Sequence, residues 1–120
     1  MTGDDAWRFG REWVDAWNAH DLDAILSHYA DDIEFTSPFV VSLQHGVDAT
    51  IRGKVALQDY FERALTAYPD LKFELHEVLT GTSCLVLYYT SVNHLLAAEM
   101  MILDDSRRVI RVWAHYSSRN

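Results

Sequence analysis

Apolar residues recur at helical spacing through the first stretch of the chain. Ala6, Phe9, Trp13, Ala16 and Trp17 fall on one face, with Arg8, Arg11, Glu12 and Asp15 mostly elsewhere on the wheel. This predicts an amphipathic helix of about 15 residues opened by Asp4 and Asp5, whose charges suit a helix N-terminus. Asn18-Ala19-His20 breaks the pattern, and Asp21 can cap a second, short helix with Leu22, Ile25, Leu26 and Tyr29 on its apolar face, ended by Asp31-Asp32. Ile33, Phe35 and Ser37 then alternate with Glu34 and Thr36, a half-buried strand stopped by Pro38. Residues 39–52 read as irregular, with a turn at Gly46 and a short strand over Ala49–Arg52. Gly53 precedes a third helix carrying Val55, Leu57, Tyr60, Phe61, Ala64, Leu65 and Tyr68 on one face, and Pro69 closes it.

The period changes to two after Pro69. Leu71, Phe73 and Leu75 alternate with Lys72, Glu74 and His76; a turn near Gly81 leads into Cys84–Val92, apolar on both faces. A hairpin at Asn93-His94 returns through Leu95–Leu103, and a turn at Asp104-Asp105-Ser106 leads into a last strand from Val109 to about Ser117. In that strand Ile110, Val112, Ala114 and Tyr116 face one way and Arg111, Trp113 and His115 the other. Helices early and an antiparallel meander late predict an α+β fold, three helices packed in one curved, mainly antiparallel sheet.

Composition narrows the function. The 120 residues suit one domain over 1–120, and 49% apolar content is enough for a real core. Net charge is −8, of which residues 1–60 carry −7, and no basic cluster offers the phosphate contacts that nucleic-acid binding needs. Apolar runs are too short to span a bilayer, and the acidic start Thr2-Gly3-Asp4-Asp5 is unlike a secretory signal, so a cytoplasmic protein without membrane partners is expected. The single Cys84 excludes an internal disulfide and a cysteine zinc cage and reads as an inert core thiol; the histidine spacings match no metal motif. Neither metal nor cofactor is expected.

Three segments carry a family likeness: Tyr29-Ala30-Asp31-Asp32-Ile33-Glu34-Phe35-Thr36-Ser37-Pro38-Phe39, then Arg52-Gly53-Lys54-Val55-Ala56-Leu57-Gln58-Asp59-Tyr60-Phe61, then Tyr68-Pro69-Asp70-Leu71. In order and spacing the chain resembles the nuclear transport factor 2-like superfamily, in particular its SnoaL-like polyketide cyclase and ketosteroid isomerase branches. The resemblance implies a cone, with sheet and helices enclosing a deep apolar pocket and the outer sheet face pairing into a homodimer. It also implies where catalytic groups would stand. The isomerase base falls on Ser37, the enolate-stabilising tyrosine on about Trp13 and the assisting neutral acid near Leu96, while the cyclase acid falls on Ser117. None of the four residues is the family's, so steroid-isomerase chemistry is not expected and enzymatic activity stays open.

Strand parity and helix faces nominate a pocket lining of Trp13, Trp17, Phe35, Ser37, Tyr60, Phe61, Val112, Ala114 and Tyr116, with Ser37 and Tyr116 as polar anchors for a flat hydrophobic molecule. His45 with Asp48, and His94 at its hairpin, are the candidate acid–base groups, whereas His20, His28 and His76 read as solvated or surface residues. Glu99, alone in an apolar strand, is expected on the outer face, paired with Arg111 or His115 across a dimer interface that also holds Trp113 and Tyr89. The functional expectation is an apolar pocket for a small hydrophobic molecule; the alternatives are an acid–base enzyme of the cyclase or isomerase kind and a dimerisation module without catalysis.

Overall fold

A computed structural model describes residues 1–44 and 48–117; His45 lies outside the described residues. The element order is α1 (Gly3–Asn18), α2 (Leu22–Leu26), β1 (Tyr29–Thr36), α3 (Pro38–Gln44), β2 (Thr50–Arg52), α4 (Lys54–Ala67), β3 (Glu74–Gly81), β4 (Cys84–Thr90), a 3₁₀ turn (Val92–His94), β5 (Leu96–Leu103) and β6 (Val109–Tyr116). One six-stranded sheet has the order β2-β1-β6-β5-β4-β3. All neighbours are antiparallel except β1 and β6, and α1 packs on β3 while α4 packs on β1. The expected α+β architecture is present. Among the described residues no helix is long and apolar enough to cross a membrane.

Thr2, not the acids after it, caps α1. Its hydroxyl accepts from Asp5 N–H at 3.1 Å, and the Asp5 carboxylate accepts from Thr2 N–H at 3.2 Å, a reciprocal box that holds the Asp5 pKa below its ordinary value. Asp21 caps α2 as expected, its Oδ1 accepting from Ala24 N–H at 3.1 Å. At the far end of α1, Asn18 clamps the chain before β3, donating from Nδ2 to Phe73 O at 3.0 Å and accepting from Phe73 N–H at 2.7 Å. His20 Nε2 lies 3.0 Å from Leu71 O and is therefore tied to this segment, not free in solvent.

Several local expectations change. Tyr29 opens β1, because α2 stops at Leu26, so Asp31 and Asp32 lie in a strand and end no helix. Residues 38–44, expected as irregular, form α3 with Val40 in the core. Val55 is 86% exposed, since α4 has only just begun there and its buried face starts at Leu57. Leu71 and Phe73 are buried but precede β3, which starts at Glu74. His28 is half-buried with its ring 5.1 Å from that of Phe9, and burial lowers its pKa.

The decisive change is in β6. Leu103 pairs with Val109, but Ile102 pairs with Arg111, leaving Ile110 as an extra residue on β6. Such a bulge moves the pairing by one, and a one-residue shift exchanges the faces of the strands. Val109 and Val112 therefore both face the core, and Ile110, expected alongside Val112, does not belong to the buried row. On β5 the buried row is Ala97, Glu99, Met101 and Leu103. Glu99 thus faces inward, opposite Ala114 on β6 and Leu87 on β4, and cannot pair with Arg111 or His115 outside. Tyr89 is likewise buried, and Tyr88 takes the outer position.

The α1–β3 contact is tight at Gly10, where a Cβ would meet Val78 Cγ2 at 2.8 Å and Leu87 Cδ2 at 3.1 Å. Alanine improves helix propensity by about 1 kcal/mol, but overpacking against a β-branched neighbour costs about 1–3 kcal/mol. Gly10→Ala should lower the urea midpoint, whereas Gly3→Ala, with open space around its Cβ, should leave it unchanged or raise it; equal midpoints for the two variants would refute the close packing.

Candidate functional site

The concave side of the sheet, α1 and α4 enclose an aromatic cluster. Trp13 stacks on Phe73 with centroids 5.6 Å apart, Trp17 meets Phe61 edge-on at 4.8 Å, and Phe35 meets Phe61 edge-on at 5.4 Å. Near the wide end Phe39 from α3 stands edge-on to Tyr116 at 4.6 Å. These rings leave a cavity of about 50 Å³, room for a few water molecules. The pocket expected to be deep is narrow here, because the aromatic side chains themselves fill most of the cone.

Six of the nominated residues, Trp13, Trp17, Phe35, Tyr60, Phe61 and Tyr116, line this cavity. Val112 and Ala114 are buried in the sheet but do not line it, and Ser37, 1% exposed, sits behind the wall beside the hydroxyls of Tyr60 and Tyr116. Ser37 Oγ accepts from Phe39 N–H at 3.2 Å and so starts α3. Asp48 is exposed and occupied with Thr50 N–H at 2.9 Å and Arg52 Nη1 at 3.1 Å. His94 is exposed on the turn outside the cavity, Leu96 points outward at 42% exposure, and Ser117 is exposed. None of these four reaches the cone. Among the described residues no three His, Cys, Asp or Glu side chains converge as metal ligands.

Glu99 is the residue that sequence reasoning misplaced. It is 3% exposed, lines the cavity, and its Oε2 has no hydrogen-bond partner among the described residues. Burial pushes its pKa up to about 8, so the side chain is mostly a neutral carboxylic acid at pH 7. Its charge, when present, acts on Tyr29, Tyr60, Tyr89 and Tyr116, and burial first and that charge second raise Tyr29 and Tyr89 well above the ordinary tyrosine value. Trp13 Nε1 is satisfied by donating to Tyr29 Oη at 3.0 Å, but the Trp17 indole N–H, also buried, has no acceptor. The cavity therefore presents one carboxylic acid and one indole N–H, both without partners among the described residues, on walls of aromatic and aliphatic side chains with a few tyrosine hydroxyls.

Comparison with known proteins fits this geometry. A model of the SnoaL-like domain matches residues 10–120. The chain belongs to the SnoaL-like domain family. A SnoaL-like protein of unknown function from Burkholderia thailandensis is 43% identical over 98% of this chain and 99% of its own, with a TM-score of 0.92. AclR from Streptomyces galilaeus is 21% identical over 98% of this chain and 82% of its own, TM-score 0.75. TerC, solved with polyporic acid, is 15% identical over 90% of this chain and 88% of its own, TM-score 0.73. Others with the same fold carry nuclear transport factor 2-like, cystatin-like, ketosteroid isomerase and polyketide cyclase names. No curated protein matches. For this SnoaL-like domain the fold is thus secure, and the chemistry must come from its own cavity.

The raised Glu99 pKa makes stability depend on pH. A carboxyl with a folded pKa of about 8 and an unfolded value near 4.5 costs the folded state progressively more through the window in which the unfolded chain is ionised and the folded one is not, and the full cost is reached above the folded pKa. Stability should fall as pH rises from about 4.5 to 8, by at most ~1.4 kcal/mol per unit, and level off above. In Glu99→Gln this decline should be largely absent, so the variant gains on the wild type between pH 5 and pH 9 in urea unfolding. Parallel pH profiles would place the carboxyl in solvent.

Proposed function

We propose that this SnoaL-like domain binds a small, flat, largely apolar carbonyl compound whose carbonyl end enters the narrow cavity of the cone, with protonated Glu99 donating a hydrogen bond to the ligand's oxygen. The observation that carries the reading is the buried, unpartnered Glu99 carboxyl among aromatic rings. A desolvated acid with no protein partner is costly to keep, and a ligand oxygen would satisfy it. The unpartnered Trp17 N–H adds a second donor for the same polar end. That TerC was co-crystallised with polyporic acid supports a ligand of this general size in the shared fold.

The test uses 1-tetralone as probe. If the protonated acid is the donor, affinity should weaken about tenfold between pH 7 and pH 9 as Glu99 ionises, while Glu99→Gln, whose amide donates at any pH, should give a flat profile. A flat wild-type profile would refute the assignment. A second reading, proton-transfer catalysis of the cyclase or isomerase kind, is favoured by the pKa near 8, which leaves both protonation states populated close to neutrality. It predicts deuterium uptake at the tetralone α-carbon in D₂O that is lost in Glu99→Gln.

We also propose a homodimer through the outer sheet face. Tyr88, Leu96 and Leu79 are exposed there at 38%, 42% and 56%, with Val86, Met100 and Trp113 half-buried around them. A sheet face of this character is unusual on a monomer. Sedimentation at micromolar concentration should give twice the 13.8 kDa chain mass, and Tyr88→Lys should reduce it to the single chain.

A further inference from the structure

Outside the cone lies a second hollow, a trough of about 700 Å³ between the segment joining α4 to β3 and the turn joining β4 to β5. Five residues, Tyr68, Leu71, Phe73, Ser91 and Val92, line both the trough and the inner cavity, so that one layer of side chains, the throat, stands between them. The cavity alone, at about 50 Å³, is far below the several hundred Å³ of an ordinary small-molecule site, while the trough is within that range.

Both walls are held in place. On one side the Asn18 clamp on Phe73 and the His20 contact to Leu71 O fix the linker to the end of α1. On the other, Ser91 N–H donates to Leu95 O at 2.7 Å and Leu95 N–H to Val92 O at 3.1 Å. Between them Asn93 and His94 both adopt left-handed backbone, φ 56° and 59°. Successive non-glycine residues in that region are sparsely populated conformations that persist only where the surroundings impose them, and they cluster at ligand-binding segments.

The trough's chemistry differs from the cone's. Its rim carries Asp70, Lys72, Glu74, Thr90, Asn93 and His94, a mixture of donors and acceptors in which one lysine faces two acids. Such a rim suits hydroxyls and disfavours a phosphorylated or polyanionic body, which would need clustered cations.

We infer that cone and trough are one bipartite site for an elongated ligand: a flat carbonyl-bearing head enters through the throat toward Glu99, and an uncharged, hydroxylated body, of the kind a sugar substituent or polyol chain supplies, lies in the trough. The inference rests on the cone reading above and assigns the part of the ligand that reading leaves outside.

The experiment compares calorimetric affinities of 6-hydroxy-1-tetralone and its 6-O-β-D-glucoside for the wild type, for two variants that fill the trough from one wall, Lys72→Trp and Glu74→Trp, and for Glu99→Gln. The glucoside should bind wild type about tenfold more tightly than 6-hydroxy-1-tetralone, and that ratio should fall to near one in whichever trough variant folds, as judged by circular dichroism. Loss of the pH dependence of both probes in Glu99→Gln reports on the cone separately. Equal affinities of the two probes in wild type, or a ratio that survives both tryptophan variants, would overturn the bipartite site and leave the cone reading intact. Failure of both probes to bind wild type would overturn both.

Discussion

The extra residue at Ile110 fixes which side of the sheet is which. Before it, Val109 pairs with Leu103; after it, Arg111 pairs with Ile102. Continued without a bulge, that pairing would set odd-numbered residues of β5 against odd-numbered residues of β6 and turn Arg111 and Trp113 inward beside Glu99. Met101 and Glu99 face inward with Leu103 by the alternation of β5 itself, and the bulge brings Val112 and Ala114 in opposite them while keeping Arg111 and Trp113 out. The bulge itself lies at the start of β6, next to the turn after β5 and at the opposite end of the strand from Tyr116.

Once inside, Glu99 sets the electrostatics of the cone. It is a lone carboxyl whose neighbours are aromatic rings and tyrosine hydroxyls, with no cation facing it among the described residues, so desolvation dominates and the group stays protonated to about pH 8. The tyrosines respond in the same sense: burial and the nearby acid together hold Tyr60 and Tyr116 neutral through the physiological range. The result is a dry set of neutral hydrogen-bond donors. Environments of this kind stabilise a developing negative charge on a ligand oxygen more strongly than water does, which is why a cavity without a serine-, cysteine- or histidine-based nucleophile still has chemical potential.

Access is a matter of the two connecting segments more than of the sheet. The Asn18 side chain, at the end of α1, makes two hydrogen bonds to the backbone of Phe73 and thereby positions Leu71 and Phe73 at the throat without the support of a strand. Opposite it, the left-handed pair Asn93-His94 turns β4 into β5. Both devices place apolar side chains on the wall shared by cavity and trough and polar ones on the trough's rim, so that boundary is built from loops carried by a rigid scaffold.

Much of this was written in the sequence. The helical stripe from Ala6 to Trp17, the Asp21 cap, the stop at Pro69 and the strands after it are local signals, and strong periodicity makes them legible; the order of three chain segments carried the family likeness. The lining residues on α1 and α4 and Phe35 and Tyr116 were legible for the same reason, each lying on an apolar face of its own element. What sequence could not decide was relative register. Ala97 and Ala98 are alike and give no facing, and nothing in Arg108-Val109-Ile110-Arg111 marks where an extra residue will be accommodated, because a bulge is settled by the pairing of two strands and not by either alone. So Glu99 was readable as an anomaly but not as an inward one. The aromatic residues named the cavity, and only the tertiary structure set how little space they leave and which polar atoms remain without partners, because packing and satisfaction depend on neighbours far apart in the chain.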